Sequence, residues 1–230
     1  MIKENIESVR AEIERAAFVS GRNASDITLI AVSKTQPIDK LIEAYRAGAR
    51  EFGENKVQEI VCKNPLMPSD THFHMIGHLQ KNKVKDVVDK AVLIHSVDSL
   101  ELAKVIQKES LKRNIVSKIL IEVNIAREES KFGVFKEDVL SLAMEISKLS
   151  NVSLKGLMTV APYVDNAEDN RQYFASMKQL AIDIENQNID NVSMQILSMG
   201  MSSDYTVAIE EGATHVRVGT KIFGARNYSK

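Results

Sequence analysis

Apolar residues open the chain at helical spacing: Ile2, Ile6, Val9, Ile13 and Ala16 share one stripe, which predicts an amphipathic helix over the first 18 positions. The period then changes. ITLIAVSK (27–34) is a near-continuous apolar run, as a parallel strand covered on both faces requires, and IDKLIEAYRAG (38–48) returns to helical spacing before ending on glycine. The same alternation predicts strands over REFGEN (50–55), HFHMIG (72–77), LIHSVD (93–98), KILIEVNI (118–125), LKGLMTVAP (154–162), VSMQILSMG (192–200) and HVRVGTKIFG (215–224). Helical stretches separate them. Ser99 is placed to cap LELAKVIQKES, and Tyr173, Phe174, Met177, Leu180, Ala181 and Ile184 line one side of another helix.

Eight strands alternating with helices in 230 residues predict a (β/α)8 TIM barrel, usually about 250 residues long. A doubly wound open sheet usually has fewer strands. Six residues follow Gly224, so no helix is expected behind the eighth strand, and the extra N-terminal helix is expected to cover that gap. No Pro/Gly/Ser linker or shift in composition divides the chain, and residues 1–230 read as one domain.

Composition narrows the partners. The chain is 44% hydrophobic and 27% charged with net charge -1, an ordinary globular balance without the clustered basic surface that nucleic acid requires. The run KNKVK (81–85) reads as a solvated helix face. The N-terminal stretch has acidic residues and no apolar run, so neither a signal peptide nor a membrane span is expected. The single cysteine, Cys62, fits a reducing compartment as a packed or half-exposed thiol, and a cytoplasmic protein is expected. No long exposed apolar helix face advertises a dimer interface, so a monomer is expected.

In a barrel of this kind the chemistry sits where strands end, and phosphate often binds in the loops after strands seven and eight. The seventh predicted strand leads into SMGMSSDY (198–205), with a glycine for close backbone approach and serines that can donate hydroxyls. In RVGT (217–220) alternation turns Val216 and Val218 toward the helices and Arg217 and Gly219 toward the interior, where an arginine is costly unless something pairs with it. Lys34 stands at the top of the first strand. A lone lysine there ordinarily snorkels past the rim, but over an apolar cavity it loses hydration, which lowers its pKa and readies the amine to attack an aldehyde. A Schiff-base lysine, an anion cradle and an inward arginine at one rim describe a pyridoxal phosphate site, with the pyridine nitrogen as the arginine's partner.

The same residues carry a family resemblance over almost the whole chain. LIAVSKTQP (29–37), FGENKVQE (52–59), HFHMIGHLQKNK (72–83), EVNIAREESKFGV (122–134), KGLMTVAP (155–162), LSMGMSSDY (197–205) and VRVGTKIFGAR (216–226) resemble the motifs of the pyridoxal phosphate homeostasis proteins, the YggS/PROSC family. The resemblance implies a barrel like the N-terminal domain of alanine racemase, the type III fold, with pyridoxal 5'-phosphate held as an internal aldimine on Lys34. It places Asn55 near the ring and Met201 at the cavity. Ser202 with the amides of Gly219 and Thr220 would hold the phosphate, and Arg217 would face the pyridine nitrogen. The chain departs from the family at Gln36, where a second lysine is frequent, at Lys56 in place of a tyrosine, and at His78 in place of a proline. Gln36 weakens the expectation of a secondary cofactor site and leaves the primary anchor untouched.

An arginine opposite the pyridine nitrogen keeps it unprotonated and damps carbanion chemistry. Similar proteins that catalyse bring groups from a second β domain, which is not expected in a chain of 230 residues. The expected function is therefore to bind, buffer and hand on pyridoxal phosphate, with pyridoxal phosphate-dependent apoenzymes as partners and no catalytic residues assigned. A weak racemase-like enzyme is the alternative, with Tyr163 and Tyr205 as the nearest candidate bases, and a Schiff-base aldolase comes third because it leaves Arg217 without a role. His72, His74 and His78 lack the spacing of a zinc site. Lys131 is near enough to the rim to touch a ligand, and Met199 and Met201 are expected to pack around the cavity mouth.

Overall fold

Each of the eight apolar runs enters one closed parallel barrel, in chain order from β1 to β8. The computed structural model describes residues 1–224, so the final six positions of the predicted domain and the end of the VRVGTKIFGAR motif lie outside the described residues. The strands are β1 (Thr28–Val32), β2 (Glu51–Glu54), β3 (His72–Met75), β4 (Ala91–Val97), β5 (Ser117–Glu122), β6 (Val152–Met158), β7 (Val192–Met201) and β8 (His215–Val218). Around them run α1 (Ile2–Val19), α2 (Ile38–Arg46), α3 (Val57–Lys63), α4 (Val84–Val87), α5 (Leu100–Lys112), α6 (Val139–Ser147), α7 (Arg171–Glu185), α8 (Tyr205–Glu210) and α9 (Thr220–Phe223). Among the described residues no helix is long and apolar enough to cross a membrane.

Alternation splits the core in two. Outward residues such as Ala31, Phe52, Ile119, Ile121, Leu157, Val216 and Val218 join the helices in the main hydrophobic layer, while Leu93, Leu120 and Met158 form a small apolar cluster inside the barrel. The cap on α5 is as expected, Ser99 Oγ accepting from the Leu102 amide at 3.3 Å. On α7 the predicted face is buried from Phe174 to Ile184, with Tyr173 half-buried.

Several strand ends differ from expectation: β5 and β6 stop at Glu122 and Met158 rather than at Ile125 and Pro162, and two further differences bear on the site. The eighth strand stops at Val218 rather than running to Gly224, because Gly219 leaves the extended region (φ -116°, ψ -71°) and Thr220–Phe223 turns into the short helix α9. A strand continued past the rim would leave Ile222 and Phe223 on opposite faces, whereas the helical turn buries both. The gap behind β8 is covered by α1 together with α9, and Asn5 Nδ2 donates to the Ile222 carbonyl at 2.8 Å. The first strand ends at Val32, so Lys34 stands in the turn that follows it rather than in the strand.

Candidate functional site

Lys34 is positioned by its neighbours. The Ser33 amide still donates to the Gly53 carbonyl at 3.0 Å, after which Thr35 adopts a left-handed backbone (φ 65°) and the Gln36 amide returns to the Ser33 carbonyl at 3.0 Å. A non-glycine residue holds that conformation only when its surroundings over-determine it. They do so through α3. Glu59 Oε2 accepts from the Thr35 amide at 2.7 Å, and the Lys63 ammonium donates to the Ser33 carbonyl at 3.0 Å, to Glu54 Oε1 at 2.8 Å and to Glu59 Oε2 at 2.7 Å. Ser33 Oγ also donates to Glu54 Oε1, at 2.6 Å. The cluster is bonded to the backbone on either side of the half-buried Lys34, at Ser33 and at Thr35. Burial raises the Glu54 carboxyl above its ordinary range, and the hydrogen bonds from Lys63 and Ser33 hold it back.

The loops beyond β7 and β8 meet at the same end. Ser202 Oγ accepts from the Gly219 amide at 3.1 Å, and Thr220 begins α9. Met201 pairs in register with Arg217 and is half-buried. Asn55, also half-buried, follows β2, and the next loop runs so close that a Cβ on Gly77 would lie 2.5 Å from the Asn55 carbonyl oxygen. That approach requires glycine at position 77. Lys34, Asn55, Ser202, Gly219 and Thr220 therefore all stand just beyond strand ends at one face of the barrel.

Arg217 points inward, as alternation predicts. Its Nη1 donates to Ser198 Oγ at 2.6 Å and its Nη2 to the Thr159 carbonyl at 2.7 Å, both inside the barrel. Burial lowers its pKa to about 10, opposed by the charges of Glu122 and Asp204, so the guanidinium keeps its charge at neutral pH. Glu122 is buried on the inner face with Leu120, and its Oε2 has no hydrogen-bond partner among the described residues. Burial, then the charge of Asp98, pushes its carboxyl up to about 7, while Arg217 pulls it down. A buried orphan acceptor beside a buried guanidinium marks a site built for a polar ligand. The donor set fits a phosphorylated pyridine aldehyde: an amine, a hydroxyl with a backbone amide, and an inward guanidinium.

Glu122 yields a prediction with a definite sign. Its folded pKa of about 7 exceeds the ordinary 4.5, so its charged form penalises the fold above pH 7, and that penalty fades as pH falls toward 4.5. Glu122→Gln is expected to stabilise the protein by roughly 2 kcal/mol at pH 8 and to leave it nearly unchanged at pH 4.5. Urea unfolding at the two pH values checks this. A variant no more stable than the native chain at pH 8 would show that Glu122 is compensated.

The sequence reading missed Glu54, Lys63, His95, Ser198 and Glu122. Glu122 carried the signal that exposed Arg217, a charge on the inner face of an apolar strand, whereas Lys63 in VQEIVCKNP looks like any surface lysine. Other candidates are occupied elsewhere. Tyr205 is buried in the outer layer, donating to Glu12 Oε2 of α1 at 2.7 Å, and Tyr163 lies exposed. Neither supplies a base at the mouth. Lys131 Nζ binds Glu128 and donates to the Val160 and Ala161 carbonyls at 3.3 and 3.1 Å, tying its loop to the end of β6. Met199 corrects expectation: it points outward into the main core, fully buried, and does not line the mouth. His78 stacks on Phe132 at 3.9 Å, His72 and His74 share Glu51, and Cys62 is exposed rather than packed.

Fold and site together define a barrel of the alanine racemase N-terminal type: the family described as "Alanine racemase, N-terminal domain" matches residues 2–227. The chain is 45% identical to the pyridoxal phosphate homeostasis protein of Aquifex aeolicus, with 98% of each covered, and 38% identical to that of Escherichia coli, with 100% and 98% covered. The PipY protein of Synechococcus elongatus, solved with pyridoxal phosphate bound, superposes with a TM-score of 0.85 at 34% identity, covering 97% of this chain and 100% of that one. An alanine racemase of Clostridium difficile shares the fold at TM-score 0.75 and 14% identity, this chain matching 57% of its length. The chain belongs to the pyridoxal phosphate homeostasis protein family.

Proposed function

We propose that the protein binds pyridoxal 5'-phosphate at the mouth of the barrel, with Lys34 as covalent anchor, and carries or buffers it in the cytoplasm for apoenzymes that need it. It acts as a monomer and without strong catalysis of its own. The observation that carries this reading is Arg217, a buried guanidinium with two of its N–H groups committed to Ser198 and Thr159 and further donors to offer. When bound, the cofactor supplies an aldehyde that an amine can condense with and a ring that can withdraw electrons. Arg217 donates hydrogen bonds and keeps its own proton at neutral pH, so a ring nitrogen facing it stays unprotonated and withdraws electrons poorly. Ser202 and the Gly219 and Thr220 amides hold the phosphate, and the Glu54–Lys63–Glu59 cluster holds the Lys34 turn against the rim. Asn55 and Met201 flank the ring. The relatives' names and the cofactor in PipY support the reading.

A weak racemase-like activity is the second reading, and Glu122 favours it: a carboxyl at the same mouth with pKa about 7 takes up and returns protons near neutrality.

The test is titration with pyridoxal phosphate, borohydride reduction and peptide mapping, on the native chain and on Lys34→Ala. The native chain is expected to turn yellow and to carry one stable adduct on Lys34, absent from the variant. An adduct that forms equally in Lys34→Ala overturns the reading. Exchange of the α-hydrogen of amino acids with deuterated solvent, lost in Glu122→Gln, would favour the second reading.

A further inference from the structure

Beneath the mouth, Arg217 heads a row of polar side chains of which the cofactor site requires no other member. Glu51 opens β2, and His74, His95, Ser198 and Arg217 follow from β3, β4, β7 and β8. His95 and Ser198 are fully buried and His74 nearly so. Arg217 Nη1 lies 2.6 Å from Ser198 Oγ, His95 Nδ1 lies 2.9 Å from the same oxygen, His95 Nε2 is 2.9 Å from His74 Nδ1, and His74 Nε2 is 2.7 Å from Glu51 Oε2. Strands β4 and β7 are not neighbours in the sheet, so the row crosses the barrel interior.

With His74 neutral, donor accounting assigns every proton, starting from the Glu51 carboxylate, which only accepts. Arginine only donates, so Ser198 Oγ accepts from Arg217, and because neutral His74 gives its one proton to Glu51 and must accept from His95, His95 Nδ1 is bare and takes the Ser198 hydrogen. His95 then carries its proton on Nε2 and donates to a bare His74 Nδ1. His74 donates from Nε2 to the Glu51 carboxylate. Every link points the same way, from Arg217 at the mouth to Glu51 at the floor. The row has one alternative. A second proton on His74, at Nδ1, would face the His95 Nε2–H, so His95 must shift its proton to Nδ1 and donate to Ser198, whose hydroxyl hydrogen then turns away.

We propose that Glu51, His74, His95 and Ser198 are positioning residues, a one-directional hydrogen-bonded chain that holds Arg217 in place and ties its setting to the protonation of His74 at the barrel floor. Its bearing on the cofactor rests on the function proposed above; the chain itself does not. The charged and titratable groups around it are Glu51 and the exposed His72, which share a contact at the floor, His215 from β8, and Glu122 and Asp98 near Arg217. The His215 ring lies 6.2 Å from that of His74 and 6.4 Å from that of His95. Burial holds His95 well below its ordinary pKa, helped by the charges of His74, Arg217 and His215, and burial takes His215 to about 4. His95 therefore passes a proton shift along without becoming charged. His74 is the ring hydrogen-bonded directly to a carboxylate, that of Glu51.

The test is long-range proton–nitrogen correlation NMR of the histidine rings in the full chain without added cofactor, from pH 8 down to pH 5. At pH 8 both rings are expected to be neutral with the proton on Nε2. As His74 becomes doubly protonated, the His95 proton is expected to move to Nδ1 in the same step. In Ser198→Ala the shifted His95 proton has no acceptor, so that step is expected about one pH unit lower, a tenfold change, with about tenfold faster solvent exchange of the Arg217 side-chain N–H groups. Ser198→Thr, which keeps the hydroxyl, is expected to restore both. A His95 that carries its proton on Nδ1 at pH 8, or keeps its tautomer while His74 charges, overturns the proposal. With pyridoxal phosphate bound, the absorption band is expected to shift in the same pH step. A static band with the rings behaving as stated overturns the tie to the cofactor, whereas a chain that never binds pyridoxal phosphate overturns the function above and leaves the ring data to decide this proposal.

Discussion

Lys63→Met is expected to cost about 3 kcal/mol of stability and to loosen the turn that carries Lys34. Lys63 is buried and spends all three ammonium donors on the Ser33 carbonyl, Glu54 and Glu59. Methionine preserves the stem and deletes the charge, leaving Glu54 fully buried with only Ser33 as donor. Glu54 then neutralises rather than remaining an isolated anion, which caps the loss. The sign with pH follows from that. A carboxyl whose folded pKa lies above its unfolded value penalises the fold above the folded pKa, and the penalty is relieved as pH falls, so the deficit of the variant is expected to shrink from pH 8 to pH 5. Adding Glu54→Gln is expected to recover part of it. Urea midpoints of the native chain, the two single variants and the double variant measure the coupling, and additive losses would show that the pair does not act as a unit. The same variants titrated with pyridoxal phosphate report whether the turn matters for the anchor.

Gly156→Ala is expected to cost about 4 kcal/mol or more, at the upper end for single substitutions. Gly156 sits in β6 at φ 151°, where the register with β5 and with β7 shifts, and a Cβ there would lie 1.8 Å from the Ile196 carbonyl oxygen. No side chain can give way, because the obstacle is backbone of the adjoining strand. In an open sheet the neighbour could slide outward; in a closed barrel β7 is also paired with β8 and has no edge to retreat to. Gly21→Ala is the control. Its φ of 68° is also left-handed, but nothing lies within 4 Å of the added atom, so about 1 kcal/mol is expected. Equal losses at the two positions, measured by urea unfolding, would show that the β6–β7 contact relaxes.

The strands and the larger helices were legible because a barrel repeats one physical requirement eight times: each strand is buried on both faces and each helix on one stripe. Strand ends were less so. Apolar content predicted strand through Ile222 and Phe223, yet burial under α1 rewards a helical turn equally well, and only the neighbour decides between them. The inward Arg217 was found from alternation, and Glu122 could have been found the same way. Lys63, His95 and Ser198 could not, because their roles depend on distant partners: Lys63 reaches Ser33, 30 positions away along the chain, and His95 reaches Ser198, 103 positions away.

By itself the sequence determined the number and order of strands, the N-terminal helix that closes the ring, and the inward turn of Arg217, because each follows from period and alternation, which are local. The tertiary structure alone decided which charges are paired. It bonded Lys63 to the Ser33 carbonyl next to Lys34, joined Glu51 to Arg217 through two histidines and a serine, and spent Tyr205 on α1. Hydrogen bonds and ion pairs act over about 3 Å in space, and only barrel closure brings residues so distant in the chain within that reach.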